Sequence, residues 1–367
     1  MKKIAVTGNI GKTTTIELLF QYLTLKEKRC VLFCTNGSFD NYSNFVNRDA
    51  YSKVSNRRYQ EILEQRENDC DYCLIEMTEE SAYIEGLLIN QAHFDLVINV
   101  NYDPKISSFH ITDYPDFGFK FLNELDTEQL IMYQGDQETY HLQRPYITFN
   151  DFTVLNSSFN GTNFQYEGIT YNTSLINKHI IRSLAAATKG IEALNEFDND
   201  IYNQFLASAF VRGRFEKHII GNKNIIIDTG WNGIDNILKD IQEENIFTPI
   251  NQTTIIFVPH PHILPTSEQA IQGRKTKALY LKDNNIDIVL TNSLDGDNTL
   301  NYFEAEFVNP ADYQNYNYIA NNTDALEYAF NSDRPNILIL GGYATRYFRH
   351  LIEEKEQENN KNEEIVE

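Results

Sequence analysis

The segment Lys2-Lys-Ile-Ala-Val-Thr-Gly8-Asn9-Ile-Gly11-Lys12-Thr13-Thr14-Thr15 constrains this chain more than any other. A strand-length apolar run enters two glycines and leaves as a helix. Gly8 and Gly11 let the backbone wrap closely around an oxyanion. Successive N–H groups and the helix N-terminus then face phosphates, with Asn9 and Thr14 in the same loop. Lys12 reaches the β- and γ-phosphates, and the Thr13 hydroxyl ligates Mg²⁺. The generic phosphate-loop pattern places a glycine where Val6 stands, so only the shorter Gly-x-x-Gly-Lys-Thr form is present. The competing reading is a glycine turn carrying a surface lysine.

Around this loop, short apolar runs alternate with helix-length segments. Strands are expected at Lys2–Val6, Cys30–Thr35, Tyr72–Met77 and Phe94–Val100, with helices at Thr13–Leu25, Tyr59–Glu67 and Tyr114–Leu125. Nearly unbroken apolar strands such as Phe94-Asp-Leu-Val-Ile-Asn-Val, separated by helices, imply a parallel sheet covered on both faces. A β-rich patch follows, with short strands near Leu130–Tyr133, Tyr146–Leu155 and Thr162–Tyr171 and turn signals at Asn160-Gly161 and Glu167-Gly168. Ile180, Ile181, Leu184, Ala187 and Ile191 recur at helical spacing, predicting a helix over Lys178–Leu194. A boundary is expected within Asn199–Arg212. A second alternation then runs through strands at Asn224–Asp228, Thr253–Pro259, Ile286–Thr291 and Asn336–Leu340. Its helices are expected at Ile234–Glu243, Ser267–Asp283, Asp324–Phe330 and Tyr343–Glu354.

The 367 residues fit two domains rather than one. With 41% hydrophobic and 13% aromatic residues, wholesale disorder is excluded. Lys and Arg total 31 against 52 Asp and Glu, a net charge of −21, which disfavours nucleic acid and anionic membrane as partners. Seven Glu and two Lys fall within residues 353–367, which read as a frayed helix end or a disordered acidic tail. No apolar run approaches the ~20 residues of a membrane helix, and the N-terminus reads as a strand rather than a signal peptide. Four cysteines, Cys30, Cys34, Cys70 and Cys73, suit reduced thiols in a cytoplasmic protein. Their spacing admits a zinc reading, but both pairs border strands, where core thiols are the plainer answer.

The order Thr7-Gly8-x-x-Gly11-Lys12-Thr13-Thr14-Thr15 resembles the ATP loop of the Mur ligase family, whose members join an amino acid to a carboxylate and release ADP. Further matches occur in order along most of the chain. Asp71-Tyr-Cys-Leu-Ile-Glu76 resembles a family strand ending in a Mg²⁺-binding glutamate, and a strand's carboxyl end is where ligands sit in open parallel sheets. Its alternative is a solvated strand-end carboxylate. His93-Phe-Asp-Leu-Val-Ile-Asn-Val-Asn101-Tyr-Asp103-Pro104, continuing to His110, resembles the family stretch T-N-x-x-x-D-H-x-D-x-H. Pro104 stands in place of its first histidine, and His110 is either a metal-site residue or an ordinary loop histidine. Lys120 stands where several relatives carry a carbamylated lysine, an anionic Mg²⁺ ligand, or it is a helix-surface lysine.

The element G-x-x-N-x-x-N-A-x-A-A resembles the run from Asn177 to Ala187, where Asn177 either contacts adenine or caps the helix. Gly213-Arg214-Phe-Glu216 resembles the family's hinge motif, whose arginine supplies charge to the transferring phosphate. Asp228-Thr-Gly-Trp231 stands in place of D-Y-A-H; Trp231 stacks on adenine or fills a domain interface. The C-terminal matches are weak. No Pro-Arg follows Asn292, and the family's A-G-K-G lysine is absent near Gly341-Gly342.

The resemblance implies an α/β chain. A phosphate-loop central domain, residues 1–210, combines a mainly parallel sheet with a small β-rich patch. A smaller Rossmann-like α/β C-terminal domain, 211–352, follows, and 353–367 is the tail. The family's UDP-sugar-binding N-terminal domain is expected to be missing. The implied reaction is ATP- and Mg²⁺-dependent amide formation between a small-molecule carboxylate and an amino acid or amine, through an acyl phosphate. Lys12, His110, Lys120, Arg214 and Asp228 are the implied catalytic residues. Gly8, Asn9, Gly11, Lys12, Thr13, Thr14, Asn177 and Trp231 bind nucleotide, and Thr13, Glu76, His110 and Lys120 bind metal. Arg212, His260, His262, Arg274 and Arg346 are candidate carboxylate-holding groups. The rival readings are a non-catalytic or regulatory ATP-binding module of this type and a simple phosphate-loop kinase or ATPase.

Overall fold

The computed structural model describes residues 1–8, 10–43, 46–47, 69–77, 93–101, 122–139, 142–229, 234–258, 283–284, 286–291, 316–341 and 344–366. The described chain divides into two compact units, residues 1–156 with 161–210, and residues 157–160 with 211–367.

The first unit opens with β1 (Lys2–Thr7), whose residues from Ile4 onward are buried, and continues directly into helix α1 (Lys12–Leu25). There follow β2 (Cys30–Cys34), β3 (Gly37–Asp40), β4 (Val46–Asn47), β5 (Tyr72–Glu76), β6 (Phe94–Asn99), β7 (Thr127–Tyr133) and β8 (Ile147–Phe149). They form one eight-stranded sheet in the order β4-β3-β2-β5-β1-β6-β7-β8. From β2 to β8 every neighbouring pair is parallel, while β3 and β4 turn back antiparallel on the β2 edge. The central strands β2 and β5 are buried throughout because both faces are covered, as the unbroken Cys30-Val-Leu-Phe-Cys and Tyr72-Cys-Leu-Ile runs require. One face packs Ala5, Val31, Phe33, Ile75, Phe94, Val97, Leu130 and Met132 into a core.

The β-rich patch is a three-stranded sheet of β9 (Thr153–Ser158), β10 (Gly161–Tyr166) and β11 (Ile169–Thr173). The expectation that Leu130–Tyr133 and the Tyr146 region belong to it is corrected, since both join the main sheet as β7 and β8. Helix α2 (Lys178–Ala193) follows, started by the Asn177 side chain, which accepts from His179 N. The stretch 199–212, near which a boundary is expected, contains helix α3 (Asn199–Ser208), and the compact units divide between Phe210 and Val211. Asp198 caps α3, which buries Tyr202, Phe205 and Leu206.

The second unit has β12 (Glu216–Ile220), β13 (Lys223–Asp228), helix α4 (Ile234–Glu243), β14 (Thr253–Phe257), β15 (Asp287–Leu290) and β16 (Tyr316–Tyr318). Helix α5 (Asn322–Asn331), β17 (Asn336–Leu340) and helix α6 (Ala344–Val366) complete it. The sheet order is β12-β13-β17-β14-β15-β16, parallel except for the β12–β13 edge hairpin. Ile225, Ile227, Ile256, Ile337 and Ile339 bury one face of the sheet beneath Ala325 of α5 and Phe348 and Ile352 of α6.

Residues 353–366, expected as a frayed or disordered tail, are helical. Pairs along the helix (Arg349–Glu353 and Lys355–Glu358) and contacts outside it (Glu356–His218 and Lys355–Glu327) hold the acidic stretch. The helices expected over residues 59–67 and 267–283 lie outside the described residues, as does most of the one over 114–125. All four cysteines are buried thiols, and none forms a disulfide. Among the described residues, no three His, Cys, Asp or Glu side chains come together as a metal site, and no helix is long and apolar enough to cross a membrane.

Candidate functional site

The loop after β1 is shaped by what lies against it. Gly8 has φ +116°, and a Cβ there would stand 2.7 Å from the Asn101 carbonyl oxygen. Gly11 has φ +92°, and a Cβ would stand 2.5 Å from Ser183 Oγ of α2. Neither the left-handed backbone nor the space admits a side chain. Asn101, just past β6, accepts the Ile10 N–H on Oδ1 at 2.9 Å and pins the loop to the sheet's carboxyl edge. Helix α1 starts at Gly11 with no side-chain cap, and its first internal bond runs from Thr15 N to Gly11 O at 2.8 Å. The N–H groups of Lys12, Thr13 and Thr14 therefore precede the helical ladder, the arrangement that binds phosphate oxygens. Lys12 Nζ lies over the loop and donates to Gly8 O at 2.7 Å.

Glu76 ends β5, the strand beside β1, and is 4% exposed. Thr13 Oγ1 donates to its Oε1 at 2.9 Å, so two of the four sequence-predicted metal ligands touch. Thr35, not singled out in the sequence, donates Oγ1 to Oε1 at 2.9 Å and its backbone N–H to Oε2 at 2.7 Å. A second acid, Glu17 of α1, is buried close by and accepts from Asn36 Nδ2 at 2.6 Å and from Cys34 Sγ at 3.8 Å. Burial and then the charge of Glu17 push the Cys34 thiol well above its ordinary range.

Asn99, in register with Thr7 at the end of β6, is a second residue that sequence reading passed over. It shares the sheet face of Val97, is 0% exposed, and neither side-chain polar atom has a hydrogen-bond partner among the described residues. An orphaned buried amide next to a glycine cradle, and an oxygen-only pair at Thr13 and Glu76, fit a phosphate ligand with a hard divalent cation.

Helix α2 packs its first turns against the loop. Ser183 Oγ donates to His179 O at 2.9 Å, and Thr15 Oγ1 donates to Ser183 O at 3.4 Å. Asn177 is 1% exposed with φ +78°, and its Oδ1 caps α2 at 2.9 Å from His179 N.

In the second unit, Gly213 O accepts from Thr229 N at 2.9 Å, from Thr229 Oγ1 at 2.8 Å and from the Arg214 guanidinium at 3.0 Å. Arg214 also donates to Thr229 Oγ1. Thr229 directly follows Asp228, which is buried at the end of β13, so the hinge-like motif and the strand end meet here. Behind them, Glu216 Oε2 accepts the Gly213 N–H at 2.7 Å. Its Oε1 faces His218 Nε2 at 3.2 Å and Arg349 at 3.3 Å, and His218 Nδ1 reaches Glu356 at 2.8 Å. Burial raises the Glu216 carboxyl, but the His218 hydrogen bond and the Arg349 charge outweigh it, so the pKa is lowered. Burial lowers His218, but its bonds to Glu216 and Glu356 prevail and raise it. Asn9, His110, Lys120 and Trp231 lie outside the described residues, as do Pro104, His260, His262, Arg274 and the Arg346 side chain. Arg212 is exposed.

No protein-family model matches the chain. It is similar to the UDP-N-acetylmuramoyl-L-alanyl-D-glutamate–2,6-diaminopimelate ligase of Cytophaga hutchinsonii, with 22% identity over 263 residues, 66% of this chain and 53% of that one. The chain spans about half the length, or less, of the curated relatives it matches. Among solved structures it is similar to a MurF ligase from Thermotoga maritima in complex with ADP, at TM-score 0.64 and 18% identity, covering 98% of this chain and 81% of that one. The folylpolyglutamate synthase of the same organism gives TM-score 0.65 and 14% identity, covering 96% and 89%. In sequence and in fold, then, the chain is similar to Mur ligases.

Proposed function

We propose that this chain is an ATP-dependent, ADP-forming ligase that joins a carboxylate to an amino acid or amine through an acyl phosphate. The contact between Thr13 and Glu76 beside the Gly8–Gly11 loop carries this reading. The loop N–H groups and Lys12 would bind the nucleotide's phosphates, and Lys12 would neutralise charge that develops as the γ-phosphoryl group moves to the carboxylate. Thr13 and Glu76 would hold Mg²⁺, joined by His110 and by Lys120 as a carbamate. When bound, the ion supplies charge neutralisation at the transferring phosphoryl group. Asn177 at the start of α2 and Trp231 would contact the adenine. By the resemblance, Arg214 would supply charge to the transferring phosphoryl group, and Asp228 would act with it. The amine then attacks the acyl carbon and phosphate leaves. ADP complexes of the MurF ligase and of a Mycobacterium tuberculosis folylpolyglutamate synthase support the nucleotide part of this reading. We further propose that the two compact units are the central ATP-binding and C-terminal domains of this architecture.

The test is mass detection of products after incubating the protein with ATP, Mg²⁺, pooled amino acids and candidate carboxylates. An amide product with stoichiometric ADP is expected, and Lys12→Ala should abolish it. Substrate-stimulated ADP release that survives Lys12→Ala would overturn the assignment, and a phosphorylated product without an amide would point to a kinase.

A further inference from the structure

Glu76 is held chiefly by a residue that no phosphate-loop pattern contains. Among the described residues its carboxylate accepts three hydrogen bonds, two from Thr35, one to each oxygen, and the third from Thr13. A carboxylate offers about four acceptor sites, so the remaining one is on Oε2.

Thr35 and Asn36 are the two-residue turn between β2 and β3, where Cys34 pairs with Gly37. Asn36 ties this turn to Glu17, one helical turn beyond Thr13 on α1. The turn is thus fastened to the helix that carries Thr13 while it grips the carboxylate that Thr13 touches. Strand pairing alone would close the hairpin without either bond. A glutamate side chain at a strand end has many rotamers, and two donors at fixed positions select one of them.

We propose that Thr35 is the positioning residue of this site, holding Glu76 in the rotamer that faces Thr13 and so setting affinity for the divalent cation rather than for the nucleotide. The proposal rests on the reading of Thr13 and Glu76 as cation ligands. Groups that hold a ligating carboxylate typically contribute 10–100-fold in metal affinity, so Thr35→Val should weaken cation binding by about that factor.

The probe is Mn²⁺, measured by loss of the free-ion EPR signal on the full chain with a non-hydrolysable ATP analogue. Analogue binding in EDTA is measured separately by calorimetry. The expected result is Mn²⁺ binding weakened about 10–100-fold in Thr35→Val and restored to within a few-fold in Thr35→Ser. Metal-free analogue binding should be unchanged in both. Wild-type Mn²⁺ affinity in Thr35→Val, with Glu76→Gln defective, overturns the proposal. So does equal loss of Mn²⁺ and metal-free analogue binding in Thr35→Val. If Thr35→Val fails to fold, Thr35→Ala is read in the same way. Unfolding of both assigns Thr35 to stability and overturns the proposal too. Wild-type Mn²⁺ binding in Glu76→Gln would instead sink the ligand reading of Glu76 on which the proposal stands.

Discussion

Asn99→Leu exchanges a buried amide for a bulkier apolar group with the same branching. Both polar atoms of Asn99 lack a hydrogen-bond partner among the described residues, in a side chain with 0% exposure. An unpaired buried polar group costs about 1–3 kcal/mol, and replacing it with an apolar group removes that cost. Near neighbours on the same face are Val97 and, across the register, Met132, so leucine meets apolar company. Taking one such penalty as the net gain, and about 2–4 °C per kcal/mol for a unit of 150–250 residues, the melting temperature should rise by about 2–12 °C. Scanning calorimetry without nucleotide checks this, at matched concentration and salt. Under the proposed function the same variant should lose ATP-dependent ADP release, because an unpaired amide beside the phosphate loop has been deleted. Stability gained where activity is lost marks a polar group kept for binding rather than for folding. A lower melting temperature would refute the reasoning, since it would mean that the amide is well bonded in solution. A higher one with unchanged ADP release would refute the binding half.

Other consequences can be measured directly. Lys12→Ala should lower ADP release by at least about 10²-fold, the scale on which removing one charge-stabilising group acts, as read by a coupled assay. His218 is raised above 6.5, so its stabilising contribution is complete below that value and fades as pH climbs through the higher folded value; Glu216, lowered from 4.5, contributes above 4.5 and fades as pH falls through its folded value. Urea midpoints should therefore fall at both extremes, and His218→Gln should flatten the alkaline side and, because the His218 bond lowers Glu216, part of the acidic side as well. Tyr22 Oη donates to Glu196 O at 2.9 Å and accepts from Asp198 N at 2.8 Å, and burial pushes its pKa to about 12. Tyr22→Phe orphans both partners and should cost about 1–3 kcal/mol in urea melts. Burial raises the Cys30 and Cys34 thiols, so both should react with an aromatic disulfide reagent only when the protein unfolds.

What was legible in the sequence was whatever one local period encodes. Phe94-Asp-Leu-Val-Ile-Asn reads as a doubly covered strand because five of its six side chains are buried, and α2 reads as a helix because its apolar residues recur every three or four. The same logic misled at Leu130–Tyr133, since an apolar run cannot say which sheet it joins. Helix α3 was hidden because the Asp/Asn-rich stretch before it serves equally as linker and as cap, and Asp198 caps. Glu216-Lys-His-Ile-Ile looks like a polar connector, yet ion pairs from α6 hold its first and third residues in an edge strand. In the site, Gly8, Gly11, Lys12 and Thr13 are adjacent and carry a pattern. Thr35 meets Glu76 across 41 positions, and Thr229 meets Arg214 across 15, and spacing encodes neither contact.

The bonds that run to Glu216 from Glu356 through His218 and from Arg349 directly, and from Glu216 to the backbone of Gly213, change what counts as a neutral site near the end of the chain. Arg349, Ile352, Glu353 and Glu356 stand at i, i+3, i+4 and i+7 and so share one face of α6, with Ile352 fully buried. A complete substitution scan should therefore be striped rather than uniformly permissive across this acidic stretch. Positions on that face should tolerate little, because each change reaches the loop that orients Arg214, while Glu354 between them should accept almost anything.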